Sequence, residues 1–298
     1  MRPAITVLTA YFNPVGVLSR RENYLVFAEQ MRATPGVRLL TVECAFGGTP
    51  FELGCGDAIL QVRAAHPLWL KENLLNIGWA RVDTPYVAWI DGDVLFRRSD
   101  WANEAIAVLH DHSLIQPWSS AYNVDKSGQP TGAPASSFAK VHQHGYAGAC
   151  GARCCHTGYA WAARREVLEA THGLLEDLIV GGADHLMAAA LFNRDRDVWT
   201  SFSMGPYPER VNAWCRNYAD AVKQNIGHVD GDIHHLFHGN LIDRQYGARH
   251  AMTAKHGFDA SVHLRKNADG VNQIVDLPEL GGEVREYFQN RREDGGAR

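Results

Sequence analysis

A chain of 298 residues, 46% of them hydrophobic, can bury a sizeable core in one large α/β domain or two small ones. Its formal net charge of −4 excludes a globally basic protein that coats polyanions and leaves only a local patch for such a partner. No apolar run approaches the ~20 residues of a membrane span, and the opening MRPAITVLTAYF is too short in apolar length for a secretion signal. The expectation is a soluble, cytoplasmic protein.

The run AITVLTAYF (Ala4 to Phe12) is apolar and β-rich, a first buried strand that NPVG then breaks. SRRENYLVFAEQMRAT follows with helical spacing, Tyr24, Phe27 and Met31 on one face and Ser19 placed as N-cap. VRLLTVECAF is a second strand, HPLWLKENLLNIGWARV a second amphipathic helix, and YVAWIDGDVLF a third strand. This alternation predicts a doubly wound, mostly parallel sheet, whose ligands bind beyond the carboxyl ends of the strands. Asp91 and Asp93 fall at such an end. After LIQPW, the segment NVDKSGQPTGAPASSFAKVHQHG is rich in Gly, Pro, Ser and Ala and reads as a long lid or binding loop. The cluster CGARCCH (Cys150 to His156) has no second cysteine pair, so buried thiols or an occasional disulfide are expected ahead of a structural zinc. Helical pattern returns at RREVLEATHGLLEDL and ADHLMAAALFNR. No linker divides the chain, which predicts one domain over residues 1–284 and a polar, flexible tail over 285–298.

Asp91 and Asp93 flank Gly92 at the end of an apolar run. Burying a carboxylate is costly without a compensating partner. Two carboxylates so spaced can offer hard oxygen ligands to Mg²⁺ or Mn²⁺, or can simply form a solvated turn. The surrounding motifs bear on that choice. ITVLTAYFNP, then KENLLNIGWA ahead of YVAWIDGDVLF, then HTGYAWAARREVL, then GGADHLMAAAL follow in an order that resembles a GT-A glycosyltransferase over roughly residues 4 to 250. The later HHLFHGNLIDRQYGARH, of the form H-x-x-H-G followed by R-x-Y-x-x-R, resembles a segment of uncharacterised phage glycosyltransferases.

The resemblance implies a Rossmann-like, mostly parallel twisted sheet flanked by helices. It also implies transfer of a sugar from a nucleotide diphosphate donor, foremost a UDP-sugar, to an acceptor hydroxyl, with inversion and with Mn²⁺ or Mg²⁺ as cofactor. Carried over residue by residue, Asp93 becomes the direct metal ligand, Asp91 a contact to metal or ribose, and His238 a further ligand, ahead of His235. Asp184 in GGADH becomes the general base, although His185 stands where the family often has a second acid; the alternative is a helix N-cap. Thr9, Tyr11 and Asn13 would hold the nucleoside, with Tyr11 stacked on the base, while Lys71, Asn76 and Gly78 lie on the helix approaching the nucleotide. Trp161 would pack against sugar or acceptor, or equally in the core. Arg244, Tyr246 and Arg249 would grip phosphate of the leaving group or of an acceptor, or form a solvated basic face.

Residues 238–266 hold Arg244, Arg249, Lys255, Arg265 and Lys266 against Asp243 and Asp259. That local excess, with the phage resemblance, points to DNA bearing hydroxymethylated pyrimidines as acceptor and partner. A glycan or surface polysaccharide is the alternative acceptor, and a non-catalytic nucleotide-sugar binding protein the alternative function. A nucleotidyltransferase would carry a Gly-rich, Arg/Lys-containing first loop, which NPVG is not.

Overall fold

The computed structural model describes residues 4–147, 155–246 and 249–295. The first strand, β1 (Ile5–Phe12), is buried at all but one position. Helix α1 (Leu18–Ala33) seats Tyr24, Phe27, Ala28 and Met31 against the sheet. Ser19 lies inside its first turn and caps nothing; the Asp294 carboxylate instead accepts from the amides of Leu18 and Ser19, at 3.1 and 2.8 Å. Strands β2 (Val37–Phe46) and β3 (Ile59–Ala64) follow, the latter not foreseen from sequence. Helix α2 (Lys71–Trp79) lies close on the sheet, because a Cβ on Gly78 would come 3.0 Å from both Leu8 and Val42.

The expected third strand is in fact two. β4 (Tyr86–Ile90) ends where Asp91-Gly92-Asp93 turns the chain, and β5 (Val94–Phe96) enters a different sheet. After α3 (Trp101–Leu109) and β6 (Leu114–Gln116), the segment expected as a long loop forms a hairpin, β7 (Ser120–Val124) and β8 (Pro130–Ser137), then the short helix α4 (Phe138–His142). Asp125 closes the hairpin turn by accepting from Ser127 and Gln129. Strands β9 (Cys155–His156) and β10 (Ala160–Arg164) and helices α5 (Arg165–Ala170) and α6 (Ala183–Ala190) precede β11 (Ile226–His228) and β12 (Asp232–His235).

The main sheet has the order β11-β6-β10-β4-β1-β2-β3, and every neighbour pair is parallel except those of β10. Alternation along β4 sends Val87 and Trp89 into the core with α2 and α6, and Ala88 and Ile90 into the core with α1 and α3. The architecture is therefore α/β, a mostly parallel sheet with helices on both faces, as the alternation predicted. A second sheet, β5-β12-β7-β8-β9, runs past the carboxyl end of β4. It brings His235 opposite Val94, one residue from Asp93.

The chain end departs from expectation. The C-terminal helix continues to Asn290 and buries Leu280, Val284, Tyr287 and Phe288. Arg291 and Glu293, within the segment expected to fray, are 3% and 2% exposed. Their charges meet each other and Arg20, which removes the reason for a polar segment to stay in water. Among the described residues, no helix is long and apolar enough to cross a membrane.

Candidate active site

The turn after β4 is fastened on both sides. The Asp91 amide donates to Tyr159 O at 2.8 Å, and Asp93 O accepts from the Leu236 amide at 2.8 Å. Gly92 rests on Tyr24 and on Thr9 Oγ1. With the backbone held, the two carboxylates point to different partners. Asp91 Oδ1 meets Lys71 Nζ at 2.5 Å. Burial works against the Lys71 charge, but Asp91, then Glu72 and Asp184, outweigh it and keep the ammonium protonated. Lys71 is thus a half-buried counter-ion to Asp91.

Asp93 faces imidazoles. Its Oδ2 lies 3.1 Å from His238 Nδ1 and 3.7 Å from His235 Nε2, and its Oδ1 is buried with no partner among the described residues. One ligand atom from each of Asp93, His235 and His238 lies within 4.8 Å of the others. Asn123 Oδ1, on β7, sits 2.8 Å from His235 Nδ1 and so directs Nε2 towards Asp93. Burial pushes the His238 imidazole down to about 3, against the pull of Asp93, which leaves it neutral as a ligand must be. An orphaned carboxylate oxygen beside two imidazoles fits a divalent cation, and the nitrogen donors suit Mn²⁺ better than Mg²⁺. Asp91, expected to contact the metal or the ribose, is not one of these three residues and is paired with Lys71 instead, while His235, expected behind His238, is one of them.

Across the cleft stands Asp184, in the first turn of α6. Gly181 and Gly182 adopt φ of +86° and +97°, the left-handed region that starts this helix, and no side chain caps it. Asp184 accordingly does not act as an N-cap. A Cβ at Gly158 would come 2.7 Å from Asp184 Oδ2, so that glycine makes room for the carboxylate. Burial disfavours its charge, but Lys71, His156 and Arg249 more than offset this and hold the carboxyl below its usual range.

The remaining wall carries cations of two kinds. Arg20 and Arg291 converge on Glu293, at 2.7 and 2.5 Å. Gly239, next to His238, leaves space for this segment, since a Cβ there would meet Glu293 Cα at 2.9 Å. Arg244 and Arg249 are 5% and 8% exposed, yet neither reaches a carboxylate among the described residues. Arg244 Nη1 donates to Tyr246 at 3.1 Å, its Nε has no partner, and Tyr287 holds its carbonyl.

Several expected contacts lie elsewhere. Thr9 is buried beneath Gly92. Tyr11 lines the cleft, but its hydroxyl donates to Glu52 and its ring is tilted on Tyr24 at 5.1 Å, so neither hydroxyl nor ring stands free. Asn13 closes the NPVG loop on Val17 and Glu52. Asn76 ties α2 to Leu174 and Glu176. Trp161 is a core residue whose indole donates to Thr157 O at 2.7 Å; it borders a small cavity behind the cleft. His156 and Glu72 also line the cleft and were not foreseen. Burial moves His156 down to about 4 and Glu72 up to about 7. Glu72 occupies the buried side of α2 beside Leu75, a position the helical spacing marks as inward.

The basic residues of 238–266 divide between the surface and the cleft. Lys255 pairs with Glu283, Lys266 with Glu176, and Arg265 with backbone carbonyls of its own helix end. Arg244 and Arg249 lie inside the cleft, whereas the Lys255 and Lys266 side chains remain more than half exposed. Cys44, Cys55, Cys155 and Cys215 are free thiols, while Cys150 and Cys154 lie outside the described residues.

No protein-family model and no curated protein matches this chain. Among solved structures, the catalytic domain of Drosophila β1,4-galactosyltransferase 7, in complex with xylobiose, aligns over 93% of this chain and 97% of its own at 13% identity and a TM-score of 0.41. Glucosyl-3-phosphoglycerate synthase from Mycobacterium tuberculosis, in complex with Mn²⁺, UDP and glucosyl-3-phosphoglycerate, aligns over 84% and 77% at 11% identity and a TM-score of 0.42. Staphylococcus aureus TarS 1–349, in complex with UDP-GlcNAc, aligns over 64% of this chain at 13% identity and a TM-score of 0.38; the chain spans 54% of that TarS chain.

Proposed function

We propose that this chain is a metal-dependent glycosyltransferase that moves a sugar from a nucleotide diphosphate donor, a UDP-sugar first of all, to an acceptor hydroxyl with inversion. The observation that carries the reading is Asp93 Oδ1, buried and unpartnered beside His235 and His238, in the cleft that also holds unpaired Arg244 and Asp184. A two-histidine, one-carboxylate set also serves iron(II) chemistry. The buried, unpaired guanidinium beside it favours a phosphate-bearing substrate instead.

Bound at Asp93, His235 and His238, Mn²⁺ would supply positive charge to a departing diphosphate. Arg244 donates to a phosphate oxygen and keeps the leaving group in register. Lys71 neutralises Asp91, which leaves Asp91 beside the donor without repelling it. Asp184, anionic and without a cap to satisfy, takes the proton of the acceptor hydroxyl. The acceptor oxygen bonds to the anomeric carbon as the bond from that carbon to the phosphate oxygen breaks. The electron pair leaves with the nucleoside diphosphate. Asp184 disfavours the non-catalytic alternative, because a mere binding protein has no use for a half-buried carboxylate that caps nothing at this place.

The test is release of UDP from UDP-sugars, with and without Mn²⁺, in the presence of oligosaccharides, small hydroxy compounds, and DNA containing 5-hydroxymethylcytosine or 5-hydroxymethyluracil. Metal-dependent release that EDTA stops is expected. Labelled sugar in DNA would establish the hydroxymethylpyrimidine acceptor. No release and no binding of any UDP- or GDP-sugar would end the glycosyltransferase reading.

A further inference from the structure

The proposed reaction gives work to one of the two unpaired guanidiniums. Arg249 stands apart from the metal trio, at the Asp184 end of the cleft. Its guanidinium packs on the Gly181–Gly182 turn, where a Cβ on Gly181 would come 3.1 Å from Nη1 and 3.3 Å from Cζ. Only glycine leaves room for it there. The Tyr246 ring covers its other side at 4.9 Å. Nε faces His250 Nε2 at 3.5 Å, a weak contact to a neutral ring, and the terminal nitrogens donate to no group among the described residues. At 8% exposure the guanidinium acts on the Asp184 carboxylate without an ion-pair contact, and its terminal nitrogens keep their hydrogen-bonding capacity for a ligand. The turn it packs on opens the helix that carries Asp184, so the cation and the proposed base are held by one piece of backbone.

We infer that Arg249 binds an oxyanion carried by the acceptor, so that the acceptor is a hydroxyl compound with a phosphate or carboxylate close to the accepting oxygen. The inference rests on the reading of Asp184 as base. A neutral glycan hydroxyl would leave those terminal nitrogens without an anion. The cation lies inside the cleft, so the anion must enter together with the hydroxyl, as in a small hydroxy acid or a phosphorylated sugar or polyol. Phosphates that stay on the outer face of a duplex do not reach it.

The test is calorimetric titration of the protein, saturated with UDP and Mn²⁺, with sulfate as a soluble stand-in for phosphate and with acetate for carboxylate. Thermal unfolding checks that Arg249→Met and Arg249→Lys are folded. At least one anion should bind the loaded wild-type protein, and the tighter of the two names the acceptor's charged group. In Arg249→Met its affinity should fall at least tenfold more than the affinity for UDP, and Arg249→Lys should lie between. Absence of binding by both anions, or equal binding in wild type and Arg249→Met, overturns the inference. An equal loss of UDP and anion affinity also overturns it, by assigning Arg249 to the donor. Failure of UDP to bind wild type counts against the glycosyltransferase reading alone, and the anion titration is then read on the unloaded protein.

Discussion

Asp91 and Asp93 stand one glycine apart at the end of one strand, and the fold gives them opposite surroundings. Asp91 is closed by Lys71 at 2.5 Å. Asp93 faces two imidazoles and keeps one oxygen without a partner. The difference lies in what the rest of the chain brings. Lys71 comes from the helix just before β4, whereas His235 ends β12 of the second sheet and His238 follows it, more than 140 residues later in the chain. The same division runs through the cations, with Arg20 and Arg291 satisfied by Glu293 while Arg244 and Arg249 are not. A site holds its shape with the compensated groups and binds with the uncompensated ones.

Asp184 belongs with the groups left open for binding, since cations near it hold its carboxyl below the usual range while it makes no hydrogen bond or ion pair among the described residues. Asp184→Asn should lower transfer by about two to four orders of magnitude, the usual worth of a general base, while donor binding persists. Turnover near wild type would make Asp184 a bystander. Glu293 is the compensated counterpart. Burial would raise its carboxyl, but Arg20 and Arg291 bring it down to about 2 from an ordinary 4.5. A depressed carboxyl stabilises the fold above its ordinary pKa and loses that contribution as pH falls through the folded value. Glu293→Gln should therefore cost roughly 3 kcal/mol at pH 7 and flatten the loss of stability between about pH 4.5 and 2. Urea titrations across that window check it, and an unchanged profile would mean the pairs contribute nothing net. Asn123→Ala sharpens the contrast most finely. Freeing the His235 ring should weaken Mn²⁺ affinity by about 10- to 100-fold without disturbing the Lys71–Asp91 pair. A Mn²⁺ affinity equal to wild type would show that Asn123 does not orient the ligand.

Much of the sheet was legible because its signal is local. Mostly apolar, β-rich runs such as ITVLTAYF and VRLLTVECAF are largely buried on both faces and need no partner to be recognised. β8 was not legible, because PTGAPASS is mostly exposed and holds its place by backbone pairing, which side-chain composition does not report. The chain end misled for an electrostatic reason. Arg291 and Glu293 read as solvated until Arg20, 273 residues from Glu293, is known to face them. Within the site, Asp93, Asp184, His238, Lys71, Arg244 and Arg249 were visible through their motifs. Asn13, Asn76 and Trp161 stood near the same motifs but serve loop closure, a tie from α2 to the loop before α6, and the core. His156 escaped because a single polar residue carries no pattern until its neighbours in space are known, whereas Glu72 was passed over although the spacing of α2 marks its position as inward.

The central claim is that only one carboxylate of Asp91-Gly92-Asp93 is a metal ligand. The most direct measurement is titration of Mn²⁺ into the UDP-bound protein, followed by electron paramagnetic resonance, for wild type, Asp93→Asn and Asp91→Asn. Loss of a direct ligand exceeds the loss of an outer partner, so Asp93→Asn should weaken Mn²⁺ by more than about 100-fold, while Asp91→Asn stays within about fivefold of wild type. Equal losses in both variants would put both carboxylates on the metal and contradict the account.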